Sequence, residues 1–140
     1  MQIYGIGHLI CLFTDYNKKY FGGVLPLPMF EITESYKFFG YFHSNIWNNT
    51  TVNPVIQISG LWDYSESQIR DIMVHEMIHY YLAYNGIDTT ASHGLYFHQY
   101  AARFNRDYGM HITVTIDYNE YKRNKNISAF KFWLLKLFSD

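Results

Sequence analysis

The sequence predicts one α+β domain: an N-terminal helix, a small antiparallel sheet and two further long helices. Three observations point there. A stretch with helical spacing closes on a glycine pair near the start; short segments rich in aromatic and β-branched residues follow; then come two long stretches of helical periodicity, each ending at a glycine. At 140 residues the chain is long enough for one core and too short for two. Its 49% hydrophobic and 16% charged content argues against disorder.

In chain order, "HLICLFTDYNKKYFGG" sets Leu9, Phe13, Tyr16 and Tyr20 near one helical face and stops at Gly22 and Gly23. "VLPLPMFEIT" carries Pro26 and Pro28 and reads as an extended edge entry. "SYKFFGYFH" and "NPVIQISG" read as antiparallel strands separated by a polar turn, "SNIWNNTTVNP". "YSESQIRDIMVHEMIHYYLAYNG" is the longest helix, with Ser65 and Ser67 as competing N-caps and a stop at Asn85 and Gly86. "HGLYFHQYAARFNRDYG" is another, with Leu95, Tyr96, Tyr100 and Phe104 at helical spacing, and "HITVTIDY" alternates as a late strand. Residues 1–118 form the domain; 119–140 are a tail, basic and then apolar, that is not a domain of its own.

A net charge of -1 provides no overall basic field for nucleic acid. The single cysteine, Cys11, excludes an internal disulfide and a Cys-rich zinc finger and suits a reducing compartment. The apolar start lacks the charged lead-in and cleavage site of a signal peptide, and no run reaches about 18 apolar residues, so no membrane span is expected. The expectation is a soluble, cytoplasmic monomer.

The chemistry concentrates in "VHEMIHYY". On a helix His75 and His79 lie one turn apart on one face, so both rings can converge on one ion. A catalytic Zn²⁺ takes three protein ligands and leaves a position for water, and Glu76, beside the first ligand, is placed to act as general base. Shuffling this composition yields His-Glu-x-x-His roughly once in a hundred trials, so the motif needs its context. Apart from Arg70 and Asp71, the other positions from Ile69 to Tyr84 are apolar or aromatic, and a His-Glu-His cluster buried there without a partner would be costly. A third ligand in the extended His-x-x-Gly-x-x-His pattern is excluded, because Leu82 and Asn85 occupy those positions. It must lie further on: His93, followed by Gly94 at the start of the next helix, is favoured over His98, with Asp88 and Asp107 as other candidates. His8, His43 and His111 have no partner spacing.

"YFGGVLPLP", "SYKFFGYF", "VIQIS", "VHEMIHYY" and "SHGLYFHQYAARFN", in this order, resemble the SprT-like zinc metallopeptidase family, which is related to the Spartan protease domain, over roughly residues 9–108. The pairing of His-Glu-x-x-His with His93, Gly94 and Phe97 is the specific part. The resemblance implies a compact zincin-like fold, one Zn²⁺ per chain on His75, His79 and His93, Glu76 as catalytic acid/base, and a sheet edge, "PVIQIS", that takes a protein or peptide substrate as an added strand. It implies an endopeptidase acting on unfolded or DNA-crosslinked protein. The alternative is a non-catalytic, zinc-containing module that is DNA-associated or a regulatory binding protein.

Many relatives continue into a Cys-based zinc ribbon; here the residues after Tyr118 contain no cysteine. Seven of the 11 Lys and Arg residues fall between Arg103 and Lys136, which reads as a solvated basic face before it reads as a DNA site. Phe130, Trp133, Leu134, Leu137 and Phe138 have amphipathic spacing, expected to pack on the core.

Overall fold

A computed structural model describes residues 5–87 and 92–139. Helix α1 (Ile6–Phe21) buries Leu9, Phe13 and Tyr16 and ends at Gly22, whose φ of 65° is the left-handed turn a glycine supplies at no steric cost. The chain then crosses to the sheet. The buried Asn17 side chain holds this crossing at Leu25, donating to its carbonyl at 2.9 Å and accepting from its N–H at 3.3 Å.

Strands β1 (Met29–Thr33), β2 (Gly40–Trp47) and β3 (Thr50–Ser59) form a sheet in the order β1-β3-β2. The sheet is mixed, not antiparallel throughout: β2 pairs antiparallel with β3, but β1 runs parallel to it. The reason is topological. The chain reverses after β1 and again after β2, so β3 regains the direction of β1 and inserts between the two. "PVIQIS" is therefore the central strand, paired on both sides, and the expectation that it is a receiving edge is overturned; β1 and β2 are the edges.

The long polar turn expected over 44–54 is also corrected. Its residues extend β2 and β3 almost to the tip, and the reversal is Asn48 and Asn49 alone, with φ of 50° and 60°. Asparagine tolerates this region, and a two-residue turn of positive φ matches the twist of a hairpin. Polar residues there mark a solvated hairpin rather than a loop.

Helix α2 (Glu66–Tyr84) begins at Ser65, not Ser67: the Ser65 hydroxyl accepts from the Gln68 N–H and the Gln68 side chain accepts from the Ser65 N–H, a reciprocal capping box. It packs across the sheet, with Met73, Met77 and Ile78 fully buried beside Ile56 and Ile58. Helix α3 (Leu95–Tyr108) buries Phe97, Ala101 and Phe104, while Leu95 and Tyr96 of the expected face are exposed. The inward face is set by what α2 presents to it, rings at His75, His79 and Tyr81.

Residues 111–118 do not form the expected strand. Side chains hold them in place of a ladder: Asp71 accepts from the His111 N–H at 3.0 Å, and the Asn105 amide bonds both the N–H and the carbonyl of Ile112. After a 3₁₀ turn (Tyr118–Glu120), β5 (Lys122–Arg123) pairs with β4 (Trp62–Asp63). Helix α4 (Ala129–Leu137) packs through Phe132 and Leu135, whereas Phe130, Trp133, Leu137 and Phe138 are exposed, against expectation. A nine-residue helix lying on an existing core has room to bury only one stripe.

Candidate metal centre and active site

The three histidines meet at the junction of α2 and α3. His75 and His79 project from the middle of α2, and His93 lies just before α3, where Gly94 leads the chain into the helix. Their ligand nitrogens all lie within 4.8 Å of one another, and the Nε2 atoms of His75 and His93 are 3.1 Å apart. Phe97 sits beneath them: its ring centroid is 4.5 Å from that of His79, nearly parallel, and 4.8 Å from those of His75 and His93. With Phe97 only 1% exposed, this ring fixes how far the imidazoles can turn.

All three imidazoles are held neutral. Burial pushes His75 down to about 3, helped by His79 and His93, and His79 down to about 4, helped by His93; burial and His98 lower His93. The Thr113 backbone beside the His75 ring opposes this lowering, and Nε2 of His75 faces His93. Ser92 Oγ lies 3.3 Å from His93 Nδ1. Nitrogens about 2.0–2.1 Å from one tetrahedral ion would stand about 3.3 Å apart, so this donor set fits a metal ion.

Glu76, the next residue on the helix after His75, faces Gly40 of β2 beside the cluster. It is buried, and burial pushes its carboxyl up to about 8, opposed by the backbone N–H of Phe42, which donates to it. Glu76 Oε2 is 3.9 Å from His75 Nε2, but with His75 neutral this is not an ion pair. Gly40 is what allows the approach: a Cβ there would lie 3.0 Å from Glu76 Cγ and Ile72 Cγ2 and 3.1 Å from Glu76 Oε2. Edge strand β2, α2 and residues 111–117 enclose a cleft of about 650 Å³ whose walls include all three histidines and Glu76.

Of the other candidates, His98 is exposed and outside the cluster, Asp107 is exposed and paired with Arg106 at 2.8 Å, and Asp88 lies outside the described residues. His43 and His111 line the cleft without joining the cluster, and His8 is remote from it. Gly40, Asp71, the Phe42 N–H and the Thr113 backbone were not singled out from sequence. Three of the four act through the backbone or through a missing side chain, and Asp71, beside Arg70, which pairs with it at 3.0 Å, read from sequence as half of an ordinary ion pair.

A helix with two histidines one turn apart, joined by a third just before the next helix and backed by a sheet, gives an α+β protein whose three histidines could hold a metal ion. The SprT-like family model matches residues 9–116, and the chain belongs to the SprT-like family, a metallopeptidase-related family. No curated protein gives a significant match. Among the described residues no helix is long and apolar enough to cross a membrane.

Proposed function

We propose that this chain is a zincin-like, zinc-dependent endopeptidase of unfolded protein. The observation that carries the reading is the convergence of three neutral imidazole nitrogens beside a buried carboxylate, in a cleft bordered by an edge strand. His75, His79 and His93 would hold the ion, and the all-imidazole donor set suits zinc. When bound, the metal supplies Lewis acidity, lowering the pKa of water and polarising a carbonyl.

The rest falls to the chain's own groups. A cation on the neighbouring imidazoles favours the Glu76 carboxylate and offsets the burial that otherwise keeps it protonated. Glu76 then takes the proton of the attacking water at a carboxylate oxygen and delivers it to the leaving amide nitrogen. Edge strand β2, not β3, offers its free side to the substrate main chain; Gly40 and Phe42 share the parity that turns N–H and C=O toward the cleft. An edge that binds through main chain accepts many sequences but requires an extended segment, so unfolded or crosslink-disrupted protein is the substrate class.

The test is metal removal and return. A chelator should abolish cleavage of unfolded casein and one equivalent of Zn²⁺ per chain should restore it. Cleavage that persists in metal-free protein would refute the reading, and a zinc-loaded protein that cleaves nothing, with or without single-stranded DNA, would favour a binding module.

A further inference from the structure

The cleft is bounded by two extended segments held on adjacent stripes of α2. Ile72 and Glu76, one turn apart, face Gly40 and Phe42 of β2. Asp71 and His75, also one turn apart and about 100° round the helix, hold His111 and Thr113. In both cases a step of four residues on the helix, about 6 Å, is matched by two residues of extended chain, about 6.7 Å, so the two segments run side by side along the same floor. They differ in what they expose to the cleft. The β2 side offers main chain. The other side has no Asp, Glu, Lys or Arg from 111 to 116, with Asp117 and Glu120 following further along the cleft, and its Val114 and Ile116, 44% and 38% exposed, line the cleft with none of the described elements packed over them. Among the described residues their N–H groups make no hydrogen bond, so the wall is built for neither ladder nor core.

We infer that Val114 and Ile116 are the specificity-determining wall of the site, and that they select an apolar substrate side chain next to the bond that is cut. This rests on the peptidase reading above and names its substrate class further: extended segments bearing large aliphatic or aromatic residues, the kind folded proteins bury and unfolded ones expose. A substrate side chain covering these two residues removes apolar surface from water on both partners, whereas a charged one placed there would lose hydration against two aliphatic side chains. His75 links the wall to the metal ligands, because the Thr113 backbone one residue before Val114 is its hydrogen-bond partner. Residues selecting the side chain are thus in register with those at the reaction centre.

The experiment measures binding rather than turnover. The zinc-loaded Glu76→Gln protein is titrated into two fluorescein-labelled unstructured Ala/Gly/Ser peptides that carry one Leu or one Lys at the same position. The Leu peptide should bind roughly tenfold more tightly, the scale of one aliphatic group in an apolar pocket. Val114→Asp and, separately, Ile116→Asp should erase or invert that ratio with zinc content and Tm unchanged, since both side chains are exposed. Equal binding of the two peptides, no binding of either, or a ratio that survives both substitutions would overturn the inference. Casein cleavage by the wild-type protein, scored in parallel, reports on the peptidase reading independently.

Discussion

The α2–α3 junction and the wrap formed by residues 110–139 are built by opposite kinds of information. At the junction, two of the proposed ligands and the proposed base sit within five consecutive residues, and the third proposed ligand is 18 positions from the first, so helical periodicity alone brings most of the site together. The wrap is assembled from pairs far apart in sequence. The Tyr118 hydroxyl donates to the Tyr36 carbonyl at 2.6 Å, 82 residues away, and their rings stack at 4.7 Å. Tyr121 lies 4.0 Å from Phe39, and Asn124 bonds the Gly60 carbonyl through its side chain and the Leu61 carbonyl through its N–H. Chemistry is concentrated where geometry is local; the walls that shape access to it come from elsewhere.

This contrast predicts a separation of effects. The largest falls on the ligands. His75→Ala, His79→Ala and His93→Ala should each weaken zinc binding more than 100-fold, beyond the 10- to 100-fold typical of losing an outer partner, while His98→Ala retains one zinc per chain. Metal content by atomic emission after dialysis decides it. A loaded His93→Ala protein would move the third ligand elsewhere.

Next in size is the pH dependence of the metal-free protein. His75 and His79 are depressed to about 3 and 4 from 6.5, so the stability they contribute is present above pH 6.5 and is lost as pH falls toward those values. Glu76 is raised from 4.5 to about 8, so its contribution is present below pH 4.5 and is lost as pH rises to 8. Between 4.5 and 6.5 two histidines outweigh one glutamate; above 6.5 only the glutamate acts. Thermal unfolding of metal-free protein should therefore show maximal stability near pH 6.5, with a fall on the order of 2 kcal/mol by pH 5 and again by pH 8. Zinc should remove the alkaline fall. A metal-free protein that gains stability steadily from pH 5 to 8 would contradict the assignment.

The smallest effects belong to the wrap. Asn124→Ala strands the Gly60 carbonyl of the β3–β4 connection and the Asn126 N–H, leaves the backbone bond to Leu61, and should cost about 1–3 kcal/mol with zinc content unchanged. Trp133→Ala, with Trp133 54% exposed, should stay within about 0.5 kcal/mol. Equal losses from both would place Trp133 in the core, as its spacing alone suggested.

What the sequence made legible follows the same division. Both helices of the junction, their glycine stops and the clustering of His75, His79 and His93 could be read because each depends on spacing within one or two turns. The sheet could be read as strands but not as a topology: Val55, Ile56 and Ile58 suit a buried central strand as well as a buried edge, and only the two reversals, after β1 and at Asn48 and Asn49, make β3 central. Residues 111–118 alternate like a strand, yet they join no ladder among the described residues, and Asp71 and Asn105 hold them instead. Gly40 and Thr113 stayed hidden because a missing Cβ and a main-chain contact leave no trace in residue type.

The central claim is that Glu76 does chemistry beside a metal held by others, and the Glu76→Gln protein tests it most directly. The substitution keeps size and hydrogen-bonding capacity and removes the base. With zinc content and Tm matched to wild type, cleavage of unfolded casein should fall by about 10²- to 10⁴-fold. Cleavage at the wild-type rate by a fully loaded Glu76→Gln protein would contradict the account.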